Sequence, residues 1–289
     1  MFACAPQHDT AFAFITVLPS GATPTTLKQA FASVDARHWR FATGAEFEQL
    51  EAAHTWELVS ASEAKNVISG KWVFRIKKGP TGEIVRYKAR WVARGFSQKH
   101  GVDFTEIFAP TIRYSSLRML LALANYHNLN IYGLDVSNAF ARSDITDHDL
   151  FVKQPTGYEK LDSEGRPYVC KLKKGLYGTK QAARLWNIKF RNFLLQRGWR
   201  QYESDPCLFS RHTSRHGHEI IGVYVDDICH VCASPKAHTA LLTACNSVFP
   251  TTSQGELTWI LGMHIKRNRH TRTLSLDQSQ SIHDFLVAS

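Results

Sequence analysis

The chain has 289 residues, 44% of them hydrophobic and 21% charged, and its 35 Lys and Arg against 25 Asp and Glu give a formal net charge of +10. That composition excludes a disordered chain, and no run approaches the roughly 18 apolar residues a membrane helix needs, so a folded basic protein of one or two domains is expected, with no membrane partner. Six scattered cysteines exclude the disulfide framework of a small secreted fold and fit a reducing compartment.

Taken in chain order, the first apolar stretch, Ala11 to Leu18, is too short for a signal-peptide core and has no preceding Lys or Arg. Thr25 to Val59 reads as helices, with Thr25 or Thr26 as a cap and Trp39, Phe41, Phe47, Leu50 and Trp56 at roughly helical spacing. Lys71 to Lys77 then alternates, Gly79-Pro80-Thr81-Gly82 marks a turn, and Ile84 to Val92 returns to β-favouring residues, which predicts a densely basic hairpin. Ser115 to Tyr126 predicts a buried helix, Ile131 to Val136 a short strand, and Ala182 to Arg197 a helix closed by Gly198. Glu219 to Val225 and Ile228 to Cys232 are two apolar strands with Asp226 and Asp227 between them. Cys229 and Cys232 are read as small residues of a buried strand rather than half a zinc site, which needs a second pair. Without internal repeats or a long linker, one packed α+β unit is expected.

The charge is concentrated. Residues 71 to 100 hold nine Lys and Arg against Glu83 alone, and residues 166 to 191 hold eight with no acid, so each island carries +8. Cations interleaved with Trp72, Phe74, Tyr87, Trp91 and Phe96 suit a polyanion whose bases can stack.

Two adjacent aspartates between apolar strands admit a solvated turn or a metal site. Against the turn, Asp-Asp lacks the glycine that two-residue turns favour, and like charges repel. Asp135, at the end of another apolar strand, offers a third carboxylate, and three acids at one sheet edge are what two-metal phosphoryl transfer requires.

The strings around these acids narrow the choice. Tyr224-Val225-Asp226-Asp227 within VYVDDI, the strand LDVSNAF holding Asp135 and Phe140, KWVFRIKKGPTGEIVRYKARWVARGFSQKHGVDFTEIFAPT, LKKGLYGTKQAARLWN and GELTWILGMHI occur in order. This set resembles the reverse transcriptase domain of copia-type LTR retrotransposon Pol polyproteins. The resemblance implies an α+β right-hand polymerase fold, with an antiparallel palm sheet, a basic fingers hairpin and a short or incomplete thumb. It implies RNA-directed DNA polymerase (nucleotidyltransferase) activity, with Asp135, Asp226 and Asp227 as the catalytic, metal-binding triad. Two Mg²⁺ ions, or Mn²⁺, are implied, one lowering the pKa of the primer 3′-hydroxyl and the other binding the triphosphate. By the same resemblance Phe140 lies under the incoming sugar, Gln181 lies near the incoming nucleotide, and Lys88 and Arg90 contact the triphosphate. Which of Lys88, Arg90 and Arg94 makes that contact stays open, because alternation puts all three on one face. Leu257 to Ile265, centred on Leu261-Gly262, is implied to be a hairpin near the primer.

The chain departs from the family pattern at Ala141-Arg142-Ser143, Ala183 and Ser281. Residues 1 to 23 do not resemble the family, so the expected division is a non-matching segment over 1–23 and a reverse transcriptase domain over 24–289, with no ribonuclease H domain. Implied partners are an RNA or DNA template with its primer, dNTPs and the rest of a Pol polyprotein, in the cytoplasm within a virus-like particle or in the nucleus. A catalytically silent remnant that binds nucleic acid is the alternative.

Overall fold

The computed structural model describes residues 17–78, 82–146 and 148–279, with residues 282, 285 and 286; the predicted turn at Gly79-Pro80-Thr81, most of the Ala11 to Leu18 stretch and Ser281 lie outside them. The N-terminal half contributes α1 (Leu27–Ala32), α2 (Ala36–Ala52), β1 (Trp56–Val59), β2 (Val67–Ile68), β3 (Gly70–Lys78), β4 (Ile84–Ala93), α3 (Tyr114–Tyr126) and β5 (Asn130–Val136). Next come β6 (Phe151–Lys153), β7 (Val169–Leu172), α4 (Ala182–Leu195), β8 (Arg200–Gln201), β9 (Leu208–Thr213) and β10 (Gly217–Tyr224). The last elements are β11 (Asp227–Cys232), α5 (Pro235–Asn246), β12 (Thr251–Glu256), β13 (Trp259–Ile260), β14 (Met263–Asn268) and β15 (Thr273–Asp277). No helix among the described residues is long and apolar enough to cross a membrane.

Thr26 caps α1, its hydroxyl accepting the Gln29 N–H at 3.2 Å. The helical reading of the N-terminal stretch holds to Ala52 and then fails: His54 turns the chain with a φ of +50°, and Trp56–Val59 is a strand paired with β7. Ladder pairing and β-favouring residues outweigh the helical spacing of Trp56 there. Phe41, expected in the helical core, is 79% exposed.

The principal sheet is antiparallel, in the order β12-β5-β11-β10-β9-β8. Leu117, Leu120 and Leu121 of α3 and Trp186, Phe190 and Leu194 of α4 are buried with Ile131, Leu134, Ile221 and Val231 of this sheet in one core. A second core joins Trp39 and Leu50 of α2 to Trp72, Phe74, Ala89 and Trp91 of the β3–β4 hairpin. Isolated two-stranded sheets are marginal, so α2 is what supports the hairpin. The two bodies meet where Ala93 N–H donates to the Tyr177 carbonyl at 2.8 Å. Gly178 is required at this junction: its φ is +85°, and a Cβ there would lie 2.1 Å from the Ala93 carbonyl oxygen.

A buried polar chain crosses the principal sheet. Arg211 donates to Glu219 at 2.9 Å, His230 contacts the other Glu219 oxygen at 3.3 Å and His238 at 3.3 Å, and His238 meets the Ser253 hydroxyl on β12 at 2.8 Å. Burial pushes His238 down to about 4. At the far end, Leu261 and Gly262, with φ of +49° and +74°, form the two-residue turn between β13 and β14. Arg267 ties this three-stranded sheet to the end of α3 by donating to the carbonyls of Leu129 and Ala124 at 2.6 and 3.1 Å.

Candidate active site

Asp135 is the penultimate residue of β5 and stands directly opposite Asp227 of β11, with Thr252 of β12 on its other side. Directly opposed residues of an antiparallel pair project from the same face, so two carboxylates are held side by side by a ladder paired on both edges of β5. The hairpin turn is not the Asp226-Asp227 pair the sequence suggests. Tyr224 pairs with Asp227, which leaves Val225 and Asp226 as the turn residues and puts Asp227 inside the strand.

Val225 has a φ of +56°, a conformation that a β-branched residue resists at a cost of about 1–3 kcal/mol. Two contacts hold it there. The Trp186 Nε1–H of α4 donates to the Val225 carbonyl at 2.7 Å, and the Val136 N–H donates to the Asp226 carbonyl at 3.3 Å. Trp186, within the LKKGLYGTKQAARLWN string, is a supporting residue whose role the sequence did not reveal.

The three acids line one cleft of about 920 Å³, and Lys88 and Arg90 line it as well. Burial raises the Asp226 carboxyl above its usual range and Asp135 adds to this, while Arg90 and Lys88 pull it down. Burial, then Asp226 and Asp135, raise Asp227. On the opposite wall, burial and the neighbouring Arg90, Lys77 and Arg86 lower the Lys88 ammonium. The Arg90 guanidinium lies over the Tyr177 ring, 4.6 Å from its centroid. Burial pushes that phenol up to about 12. Of the three candidates on one face, Arg94 is set apart: β4 ends at Ala93, and Arg94 is exposed beyond the strand, where the alternation no longer applies.

Neither Phe140 nor Gln181 lines the cleft. Phe140 lies in a short 3₁₀ turn and packs edge-on against Tyr177, with centroids 4.7 Å apart. Gln181 is buried; its Nε2–H donates to the Asp103 carbonyl at 3.0 Å and its Oε1 accepts from Gln98 at 2.9 Å. Tyr177 and the α2 residues His38, Phe41, Glu46 and Gln49 are cleft residues the sequence did not single out.

No ion pair within 4 Å reaches Asp135, Asp226 or Asp227 among the described residues. Nor, among those residues, is any group of three His, Cys, Asp or Glu side chains drawn tightly enough to hold an ion unaided. Carboxylate oxygens are the donors that a hard cation such as Mg²⁺ takes, with water and substrate phosphate completing its shell.

The family model described as reverse transcriptase (RNA-dependent DNA polymerase) matches residues 53–286. The chain belongs to that family. It is 36% identical over 259 residues to the retrovirus-related Pol polyprotein from transposon TNT 1-94 of Nicotiana tabacum, covering 90% of this chain and 19% of that polyprotein. The retrovirus-related Pol polyprotein from transposon RE1 of Arabidopsis thaliana is 36% identical over 263 residues, covering 90% of this chain and 17% of the relative. The chain therefore spans less than a fifth of these relatives. A solved foamy viral protease–reverse transcriptase in complex with double-stranded DNA overlays with a TM-score of 0.43 at 13% identity, covering 81% of this chain and 35% of that one.

In this reverse transcriptase domain the two basic islands behave differently. Lys171 pairs with Asp149 at 2.8 Å, Lys173 with Glu57 at 2.7 Å and Lys189 with Asp144 at 2.9 Å, and Lys174 pairs with Asp144, Arg184 with Glu106 and Arg166 with Asp162. Lys180 lies over the Phe104 ring and Arg191 donates to Gln201. Among the described residues none of the nine cations of the hairpin island is in an ion pair with a carboxylate.

Proposed function

We propose that this chain acts as an RNA-directed DNA polymerase within a transposon Pol polyprotein, moving a nucleotidyl group from a dNTP to a primer 3′-hydroxyl on an RNA or DNA template. The observation that carries this reading is the confrontation, across one cleft, of three half-buried carboxylates with Lys88 and Arg90. Asp135, Asp226 and Asp227 are the residues that would hold divalent metal. When bound there, such ions supply the Lewis acidity that activates the 3′-hydroxyl and offsets charge on the leaving pyrophosphate.

The chain's own residues do the rest. Lys88 and Arg90 give the triphosphate fixed positive charge, and stacking on Tyr177 keeps the Arg90 fork in a defined plane. Phe140 acts through Tyr177, whose ring it buttresses beside the acids. Gln181 ties the loop holding Gln98 and Asp103 to the start of α4, the helix that carries Trp186. The Trp186 bond keeps Val225 in its strained turn and Asp226 at the sheet edge.

The test is primer extension by the purified chain on a primed RNA template with Mg²⁺. Extension is expected from the wild type and is expected to fall to background in Asp226→Ala. A wild type no better than that variant refutes the activity, and shortening of the primer would identify a nuclease instead.

A further inference from the structure

Glu46 has no task in the polymerase reading. It lies in the middle of α2, 5% exposed, among inward positions otherwise taken by Trp39, Ala42, Thr43 and Leu50. A helix that only had to pack against the hairpin would use an apolar residue there, because a buried carboxylate is costly. It also lines the cleft shared by Lys88, Arg90 and the three aspartates.

Two unmet groups mark the spot. The Glu46 Oε1 is buried without a hydrogen-bond partner, and so is the Arg90 Nε. An acceptor and a donor of opposite charge on adjoining elements, both unsatisfied, are complementary, and a charge-assisted bond is the strong kind. The groups sharing this wall are His38, Lys88, Arg90 and Tyr177, with the aspartates across the cleft. Burial pushes the Glu46 carboxyl up to about 7, although Arg90, the Trp91 N–H and Lys88 all pull it down.

We propose that Glu46 is a positioning residue of the triphosphate cradle: its carboxylate orients the Arg90 guanidinium without touching the nucleotide. Glu46 and Arg90 do not lie in a closed pair, so the bond is one the guanidinium makes by turning its Nε edge to Glu46 while one face stays on Tyr177, which leaves the two terminal nitrogens for phosphate. Without the carboxylate the Arg90 stem has more freedom to lose on binding, so the deficit falls on nucleotide affinity. This inference rests on the reading of Arg90 as a triphosphate contact.

A group whose folded-state pKa is raised destabilises the fold as pH climbs from its unfolded value through the folded one, so Glu46→Gln is expected to raise the melting temperature at pH 8. A residue that only supported the fold would do the reverse. The experiment measures Mg²⁺–dTTP binding to the chain on a primed RNA template whose primer ends in a dideoxynucleotide, so that nucleotide binds and no bond forms. Arg90→Ala is expected to weaken dTTP binding by about 10- to 100-fold, and Glu46→Gln by about five- to tenfold. In the Arg90→Ala background, Glu46→Gln is expected to add less than about twofold, since its partner is gone.

An unchanged dTTP affinity in Glu46→Gln, with Arg90→Ala impaired, sinks the Glu46 inference and spares the triphosphate reading. Equal weakening in both backgrounds also overturns it, because Glu46 would then meet the nucleotide directly. A lowered melting temperature accompanying the lost affinity overturns it in favour of simple fold support. If Arg90→Ala has no effect, or the wild type takes up no dTTP, the reading of the cleft falls and the positioning role falls with it.

Discussion

Lys171, Lys173, Lys174, Arg184 and Lys189 each meet a carboxylate of their own chain, whereas among the described residues no cation of the β3–β4 hairpin does so. The two islands carry the same formal charge in sequence, yet one is matched within the fold and the other faces a cleft. The matched island fastens β7 and α4 to their surroundings, and α4 in turn carries the Trp186 that braces the Val225-Asp226 turn. The hairpin island is concentrated on two strands with no third strand beside them, and burial, reinforced by the neighbouring Arg90, Lys77 and Arg86, lowers the Lys88 pKa. Charge held against its own repulsion, opposite acids similarly strained, is charge kept for a ligand.

The largest difference between the islands should appear in nucleotide use. Lys88→Ala is expected to raise the dNTP KM by about 10- to 100-fold, the worth of a charge-assisted contact to phosphate. Lys174→Ala should leave it within about twofold, because an exposed ion pair contributes about 0–1 kcal/mol to stability and nothing to the cleft. Steady-state extension with varied dNTP separates the two, and similar KM values for both variants would erase the distinction.

A smaller effect tests whether the second island's helix serves the site through structure alone. Trp186→Phe keeps most of the buried ring and removes the bond to Val225, leaving that carbonyl unpaired at a cost of about 1–2 kcal/mol. The expected result is a lower melting temperature and slower extension at an unchanged dNTP KM. A raised KM would mean that α4 acts on the nucleotide after all.

How far this could be read from the residues depended on the range of the interaction. Local patterns gave the basic hairpin, the α3 helix and the β5 strand, because alternation, helical spacing and turn residues act over a few residues, whereas the Leu261-Gly262 turn came only from the family resemblance. The placement of the turn at Val225-Asp226 depends on ladder register and on Trp186, 39 residues away, and neither leaves a local mark. The pairing of the second island was hidden for the same reason: Glu57, Glu106, Asp144 and Asp149 all lie outside it in sequence. Glu46 was invisible because its helix reads as ordinary amphipathic packing, and only burial beside Arg90 makes a carboxylate there unusual.

The smallest effect lies in Asp144, the hub that neutralises both Lys174 and Lys189. Burial alone would raise its carboxyl, but the bonds from Lys174 and Lys189 outweigh this and hold it below the usual carboxylate range. A depressed folded-state pKa contributes stability that is present above the unfolded value of 3.8 and lost as pH falls through the folded one. Asp144→Asn is therefore expected to cost no more than about 1 kcal/mol at neutral pH, since half of the side chain is in solvent, and the gap to wild type should close in strong acid. Denaturant midpoints at pH 7 and below pH 3 measure it. The same substitution frees two lysines, and if the matched island is silent only because it is matched, salt-sensitive nucleic-acid binding should strengthen slightly in this variant. If binding does not change, position as well as neutralisation keeps the second island out of the polyanion track.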